Sequence, residues 1–202
     1  MLVSYSVAGL TPELLDAGAR AIAAHGFHAV TLEQIAAEAG LSRVTLHRRG
    51  VGKTDVLSGL VDRATADYRE RMWPVLTATG AVPTRLQAAL RVLCEVAEEH
   101  LPLLLAVRSL SDGIFHEPET GADEGAQTRD VFTEPLARLL HEGQADGSLV
   151  VLDVADEATV LFNVVGWTYI HLRTGHGWSP ERASTAVLGL ALRGTVQGPA
   201  AP

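Results

Sequence analysis

The sequence predicts an all-α protein of about nine helices, and three observations lead to this prediction. Apolar residues recur at helical spacing over most of the 202 residues, and the alternation typical of β-strands is missing. Residues that start helices (hydroxyl or carboxylate side chains) and residues that end them (glycine or proline) recur along the chain. The hydrophobic content of 47% is sufficient for a full core, so we expect a folded chain.

Two helices are predicted near the N-terminus. Thr11-Pro12-Glu13 starts the first, because it combines a hydroxyl N-cap, a proline at the first helical position and a carboxylate in the first turn. Gly26 ends this helix. The segment Thr31–Gln34 has the pattern of a capping box, so it starts a second, short helix, which ends at Gly40.

A third and a fourth helix follow. Ser42 is the N-cap of the third helix, which extends from Arg43 to about Arg49. The fourth is long and extends from about Thr54 to Trp73. Pro74 is expected to break or kink it there, because proline lacks the backbone N–H that the helix needs.

Five more helices and two domains are predicted for the whole chain. The further helices lie near residues 83–100, 102–112, 126–145, 154–173 and 180–193. A polar loop rich in glycine, proline and acidic residues is predicted for 116–125. We expect a small N-terminal domain over residues 9–55 and a larger helical domain over residues 56–196.

Composition and motifs exclude several classes of protein. The longest apolar runs, 101–107 and 159–170, are shorter than the ~20 residues of a membrane span, and no secretory signal is present. Cys94 is the single cysteine and is interpreted as a small core hydrophobe. No catalytic constellation is recognisable. We therefore expect a soluble cytoplasmic protein that is not an enzyme and has no metal, no cofactor and no membrane partner.

Positive charge is concentrated in residues 40–54. This segment, GLSRVTLHRRGVGKT, has three arginines, the single lysine of the chain and no acidic residue, which gives +4. Residues 1–39 have four acidic residues against one arginine (−3), and residues 55–202 have 20 against 11 (−9). A chain of net charge −8 with its positive charge in one short segment is expected to bind phosphate groups with one surface only.

The second and third predicted helices have the pattern of a helix-turn-helix. The small side chain of Ala36 permits a close crossing, and Gly40 suits the turn because a positive φ costs glycine little. The side chains expected between the two helices are Ile35, Ala39, Leu41 and Leu46. In such a unit the second helix enters the major groove of DNA.

The segment TLEQIAAEAGLSRVTLHRRGVGKTDVL resembles the N-terminal signature of the TetR family of transcriptional regulators. The resemblance covers about residues 11–60 and includes the preceding element from Ala19 to Thr31. The remaining 140 or so residues are similar to that family only in length and helicity. The resemblance implies a sequence-specific DNA-binding regulator, usually a repressor released by a small-molecule ligand. It also implies a homodimer that binds a palindromic double-stranded DNA operator.

The DNA-binding residues are expected in and around the third helix. Arg48 and Lys53 are expected to contact phosphate, whereas Arg43 and Thr45 are expected to contact bases. The full set of expected DNA-binding residues is Thr31, Ser42, Arg43, Val44, Thr45, His47, Arg48, Arg49 and Lys53.

Four positions depart from the family pattern. The family usually has an aromatic residue, most often Tyr, at His47, and His at Arg49. It usually has Phe or Tyr at Gly50 and Ser or Asn at Gly52. An absent aromatic at Gly50 removes burial worth about 1.5–3 kcal/mol, and the GVG linker is expected to be loose. The alternative function is therefore a TetR-like helical ligand-binding protein with impaired or lost DNA binding.

The larger domain is expected to bind a small, largely apolar ligand. For Arg108 the alternative is a local ion pair with Asp112, one turn later. For Asn163 the alternative is a role in fixing the register of a dimer. The candidate ligand-binding residues are Trp73, Leu93, Leu104, Arg108, Phe115, Phe132, Phe162 and Asn163.

The last two helices are expected to form the dimer interface, as half of a four-helix bundle between two protomers. One of them is unusually apolar and contains Trp167, and the other is rich in small residues. The candidate interface residues are Val160, Val164, Trp167, Ala186, Val187 and Leu190.

Overall fold

The computed structural model describes residues 9–110 and 124–195, with side chains over 9–108 and 131–193. The described residues form nine α-helices, which confirms the predicted all-α class. These helices are α1 (Pro12–His25), α2 (Leu32–Glu38), α3 (Arg43–Arg48), α4 (Lys53–Thr77), α5 (Val82–Glu99), α6 (Leu101–Leu110), α7 (Glu124–Asp146), α8 (Val154–Thr174) and α9 (Pro180–Thr195). Among them, none has the length and hydropathy of a membrane span.

Side-chain caps set the starts of the first three helices, as the sequence predicts. The N–H of Leu14 donates to the hydroxyl of Thr11 at 3.3 Å, and the N–H of Thr45 donates to that of Ser42 at 3.1 Å. Thr31 and Gln34 form a complete capping box, with reciprocal hydrogen bonds of 2.7 and 3.2 Å. Two of the four unpaired N–H groups at a helix start are satisfied by such a box.

The predicted end of α4 at Trp73 is wrong, because the helix continues through Pro74 to Thr77. Proline removes one hydrogen bond of the helix. Buried side chains on both sides of it, Met72 and Leu76, pack into the core and keep both parts in one helix. Arg85 completes the C-terminal end, since its guanidinium donates to the carbonyl oxygens of Val75 at 3.2 Å and Leu76 at 2.6 Å.

The described residues divide into two compact units, residues 9–64 with 100–110, and residues 65–99 with 124–195. These units differ from the predicted 9–55 and 56–196, because the first unit extends to Ala64 and also includes α6. The functional division at residue 55 stays a prediction. The predicted loop 116–125 lies outside the described residues except for its last two, which begin α7.

The first unit is built on α1, which packs against α2 and α6. The crossing of α1 with α4 requires glycine, because a Cβ at Gly18 would lie 2.4 Å from the Val56 side chain. Likewise, a Cβ at Gly59 would lie 2.9 Å from the Leu15 side chain. The fully buried side chains here include Leu14, Ala17, Ile35, Leu46 and Val56.

The second unit is built on α8, which packs against α5, α7 and α9. Cys94 is buried on α5, and this burial raises the pKa of its thiol to about 12, as expected of a core residue. Glu98 on the same helix accepts two hydrogen bonds from Arg173, at 2.6 and 2.7 Å, and one from the hydroxyl of Tyr169, at 2.8 Å. This cluster fixes α5 against α8.

Candidate DNA interface

The turn between α2 and α3 is closed by backbone hydrogen bonds around Gly40. The N–H of Gly40 donates to the carbonyl of Ala37 at 3.0 Å, and the N–H of Leu41 donates to that of Ala36 at 2.8 Å. Gly40 has a φ of +67°, which glycine adopts without strain. Together these features form a Schellman motif, which satisfies the last carbonyl groups of α2 and sets the direction of the chain into α3.

Helix α3 ends in a second motif of the same kind, around Gly50. The N–H of Gly50 donates to the carbonyl of His47, and the N–H of Val51 donates to that of Leu46, both at 3.0 Å. The φ of Gly50 is also +67°. Leu46 and Val51 are both buried and provide the hydrophobic contact typical of this motif.

The expectation of a packing defect and a loose linker at Gly50 and Gly52 is therefore wrong. Gly50 is the residue that a Schellman closure requires, and the next residue, Val51, provides the buried apolar side chain. The N–H of Gly52 donates to the carboxylate of Asp55 at 2.7 Å. Asp55 thereby caps the start of α4 from its first turn, in place of the missing hydroxyl N-cap.

Lys53 is half-buried, and its side chain lies against the domain. Its ammonium donates to the carbonyl of Val30 at 2.8 Å and to that of His28 at 3.4 Å. The same group lies 4.4 Å from the centre of the Phe27 ring, which is a cation–π contact. Lys53 thus connects the start of α4 to the loop before α2. An ammonium has three N–H donors, so one remains for a phosphate oxygen.

The N-terminal part of α3 has polar side chains that already have partners within the protein. Arg43 forms an ion pair with Glu33 of α2, at 2.5 Å. The hydroxyls of Ser42 and Thr45 lie 2.9 Å apart and form a hydrogen bond. Val44, between these groups, is 74% exposed.

The C-terminal part of α3 presents the basic side chains. His47, Arg48 and Arg49 are all exposed and follow one another directly. Of the remaining expected DNA-binding residues, Thr31 and Ser42 are exposed N-caps. The structure therefore places the expected residues on and around α3, with Lys53 directed toward the loop before α2.

Sequence reasoning missed three residues that shape this surface: Phe27, Glu33 and Asp55. A local signal was present for Asp55, because an acidic residue three positions after the N-cap, here Gly52, can form half of a capping box. Glu33 and Phe27 have no such signal. Their partners are Arg43 and Lys53, which are distant along the chain and come near only through the fold.

The expected ligand-binding residues are distributed over both units. Leu104 and Arg108 belong to the first unit, whereas Leu93, Phe132, Phe162 and Asn163 belong to the second. The ring of Phe132 lies 5.6 Å from that of Phe162 and 5.2 Å from that of Tyr68. Trp73 is 64% exposed, and Phe115 lies outside the described residues.

The polar candidates have partners of their own. The side-chain amide of Asn163 donates to the carbonyl of Thr159 one turn earlier, at 2.8 Å. Arg108 is exposed, and Asp112, its expected partner, lies outside the described residues.

The expected dimer residues lie mostly on an exposed apolar stripe of the second unit. Val160 is 57% exposed, Val164 is 42% exposed and Leu190 is 63% exposed. Ala186 is also exposed, and Trp167 is half-buried. Val187 differs, because its side chain is buried within the protomer and cannot contribute surface to an interface.

Comparison with known proteins identifies the class. Residues 14–59 match the family model described as bacterial regulatory proteins, tetR family. The ketosteroid transcriptional regulator KstR2 of Mycobacterium tuberculosis aligns with a TM-score of 0.70 at 20% identity, over 95% of this chain and 100% of that chain. The TetR family transcriptional regulator PfmR of Thermus thermophilus gives 0.70 at 21% identity, over 90% and 97%.

A third structure has the same fold. The fatty acid degradation regulator FadR of Bacillus halodurans aligns with a TM-score of 0.67 at 19% identity, over 90% of this chain and 97% of that chain. A comparison with curated proteins found no match. The described residues therefore have the same helical fold as these three structures, with a helix-turn-helix near the N-terminus. Residues 14–59 are also similar in sequence to the tetR family of bacterial regulatory proteins.

Proposed function

We propose that this protein is a homodimeric transcriptional repressor that binds a palindromic operator and is released from it by a small, largely apolar molecule. The observation that carries the DNA-binding part is the exposed surface of α3 between two Schellman closures. Val44, His47, Arg48 and Arg49 are exposed there on a helix whose two ends are fixed by hydrogen bonds. Such preorganisation lowers the entropic cost of binding.

Dimerisation is required by the small size of α3. A helix of six residues contacts few base pairs, so useful specificity needs two copies related by symmetry. The exposed apolar side chains of α8 and α9 support an interface through these helices. Val160, Val164 and Trp167 lie on one face of α8 at helical spacing. Leu190 is exposed on α9, which packs against α8.

An apolar ligand is supported by the second unit and by the relatives. The aromatic side chains of Tyr68, Phe132 and Phe162 adjoin one another there. The similar structures include regulators described for ketosteroids and for fatty acid degradation. We place the ligand in the class of acyl chains, sterols and comparable apolar molecules. A repressor of this kind acts on bacterial DNA, so its place is the cytoplasm.

The test is fluorescence polarisation with a labelled duplex from the region upstream of the coding sequence, over a range of salt concentrations. Wild-type protein is expected to bind with an affinity that falls steeply with salt. The variant Arg48→Ala/Arg49→Ala should lose affinity and flatten the salt slope by about two units if both side chains contact phosphate.

The matched control is Arg69→Ala, which removes one exposed positive charge from the second unit. Its affinity should equal that of the wild type. Failure of the wild type to bind this duplex or any duplex selected from a random pool would favour the alternative, a TetR-like ligand-binding protein without DNA binding.

A further inference from the structure

Val44 is an exposed apolar residue on α3, where the other exposed side chains are polar or charged. Its side chain is 74% exposed, and valine is neither a favoured helix former nor a residue that gains from contact with water. The buried member of the same helix is Leu46, which already fills the seam beneath it. Packing within the protein therefore gives no account of a valine at this position.

The polar groups around Val44 are engaged within the protein. Arg43 is paired with Glu33 at 2.5 Å, and the hydroxyl of Thr45 is 2.9 Å from that of Ser42. In the first turn of α3, Val44 therefore presents a branched apolar surface between groups that have partners. The N-terminal residues of a recognition helix are those that contact base edges.

We propose that Val44 is a specificity-determining residue that recognises the C5-methyl group of thymine in the major groove. This inference rests on the proposed function, since it assumes that α3 enters the groove. Thymine offers its C5-methyl group there beside the O4 acceptor, whereas guanine, adenine and cytosine offer hydrogen-bond donors or acceptors and no methyl group. A valine placed against one of these would remove its water without replacing the hydrogen bond. Thymine is favoured both by contact and by exclusion of the other bases.

The experiment removes the methyl group and nothing else. High-affinity duplexes are selected from a random pool, and each thymine of the half-site is replaced in turn by deoxyuridine. At one thymine position, the wild type should lose about fourfold in affinity when one half-site is changed, which corresponds to one buried methyl-sized group. When both half-sites are changed, the loss should be about fifteenfold. Val44→Ser should bind the thymine and deoxyuridine duplexes equally, and Val44→Ile should retain the discrimination.

The control is Arg48→Ala, which should weaken binding to both duplexes by the same factor. This pattern separates base recognition from a general loss of affinity or of folding. Equal binding of wild-type protein to thymine and deoxyuridine duplexes overturns the assignment of Val44 and leaves DNA binding intact. Selection of a half-site that contains no thymine would also overturn the assignment of Val44 and leave DNA binding intact. If no duplex is enriched, the proposed function fails and the assignment of Val44 fails with it.

Discussion

Gly50 shows how the meaning of one residue depends on the backbone around it. In the family pattern an aromatic residue usually stands at this position, so a glycine there suggests that a packing side chain has been lost. In the structure it is the C-terminal closure of α3, at a φ of +67°. An L-residue in this conformation costs roughly 1–2 kcal/mol. The expectation that an aromatic residue would help at this position is therefore reversed.

We predict that Gly50→Phe lowers the thermal stability of the protein and weakens operator binding. Gly50→Ala should have a similar effect on stability, because the strain comes from the backbone and open space surrounds the added Cβ. Gly166→Ala is the matched control, since it also adds a Cβ in open space but within a helix, where alanine is favoured by about 0.5–1 kcal/mol. Thermal unfolding measures all three. A more stable Gly50→Phe would show that α3 can end in another way.

Lys53 has a second role that its position in the sequence does not reveal. We predict that Lys53→Met lowers the unfolding temperature, because the loop before α2 loses two hydrogen bonds and a cation–π contact. Its remaining N–H is expected to contact phosphate, so the salt slope of DNA binding should also flatten by about one unit. Calorimetry and salt titration measure the two effects separately. An unchanged unfolding temperature would contradict the structural role.

At the scale of single elements, local signals were sufficient for the starts of helices and insufficient for one end. Thr11, Thr31 and Ser42 were recognisable because a cap is formed by residues three positions apart. The end of α4 was misplaced because Pro74 is a local break signal, whereas the burial of Leu76 and the hydrogen bonds from Arg85 depend on the tertiary fold. The ion pair of Arg43 with Glu33 could not be predicted for the same reason.

The cluster of Glu98, Tyr169 and Arg173 joins α5 to α8 and has a pH dependence. The hydrogen bonds from Arg173, followed by that from Tyr169, hold the pKa of the Glu98 carboxyl below its usual value, against the effect of burial. A carboxyl whose pKa is depressed by folding stabilises the protein above its unfolded pKa of about 4.3. This contribution is lost as the pH falls through the folded-state pKa.

We therefore predict that Glu98→Gln lowers the unfolding temperature at pH 7 and has a smaller effect at pH 3, because the stabilisation by the charged carboxylate decreases as the pH falls below the unfolded pKa. Glu95→Gln on the exposed face of the same helix is the control and should change the unfolding temperature little at either pH. Thermal unfolding monitored by circular dichroism at both pH values is the measurement. Equal destabilisation by Glu98→Gln at pH 7 and pH 3 would show that the cluster stabilises the protein through packing and not through the charge of Glu98.

At the scale of the molecule, about fifty residues were sufficient to predict the class of helical regulator that the chain resembles. The division into two compact units could not be predicted from the sequence. The signature around the turn at Gly40 was sufficient to detect the similarity to the tetR family model, because caps, glycine and apolar spacing are local. The membership of α6 in the first unit rests on its packing against α1, which lies far away along the chain.

The proposed dimer can be tested without disturbing the protomer. Val164 is 42% exposed, so Val164→Lys should leave the protomer folded but place a charge in the apolar interface. We predict monomers by analytical ultracentrifugation and a large loss of operator affinity. Leu152→Lys is the control, because Leu152 is also an exposed apolar residue but lies outside α8 and α9. A Val164→Lys variant that remains dimeric would place the interface elsewhere.

The proposed release by a ligand requires the whole molecule, and thermodynamic linkage allows it to be tested through ligand binding or through operator binding. If an apolar molecule weakens operator binding by some factor, the operator must weaken binding of that molecule by the same factor, typically about 5- to 150-fold. We predict this reciprocity for a ligand found by thermal-shift screening of fatty acids, acyl esters and sterols. Isothermal titration with and without a saturating operator duplex measures it.

Phe162→Ala should lower ligand affinity in both conditions, because the ring stacked on Phe132 is removed, and should leave operator affinity without ligand unchanged. A ligand that binds equally well with and without operator cannot shift the protein off DNA, however tightly it binds, because only a difference in affinity between the two states moves their equilibrium.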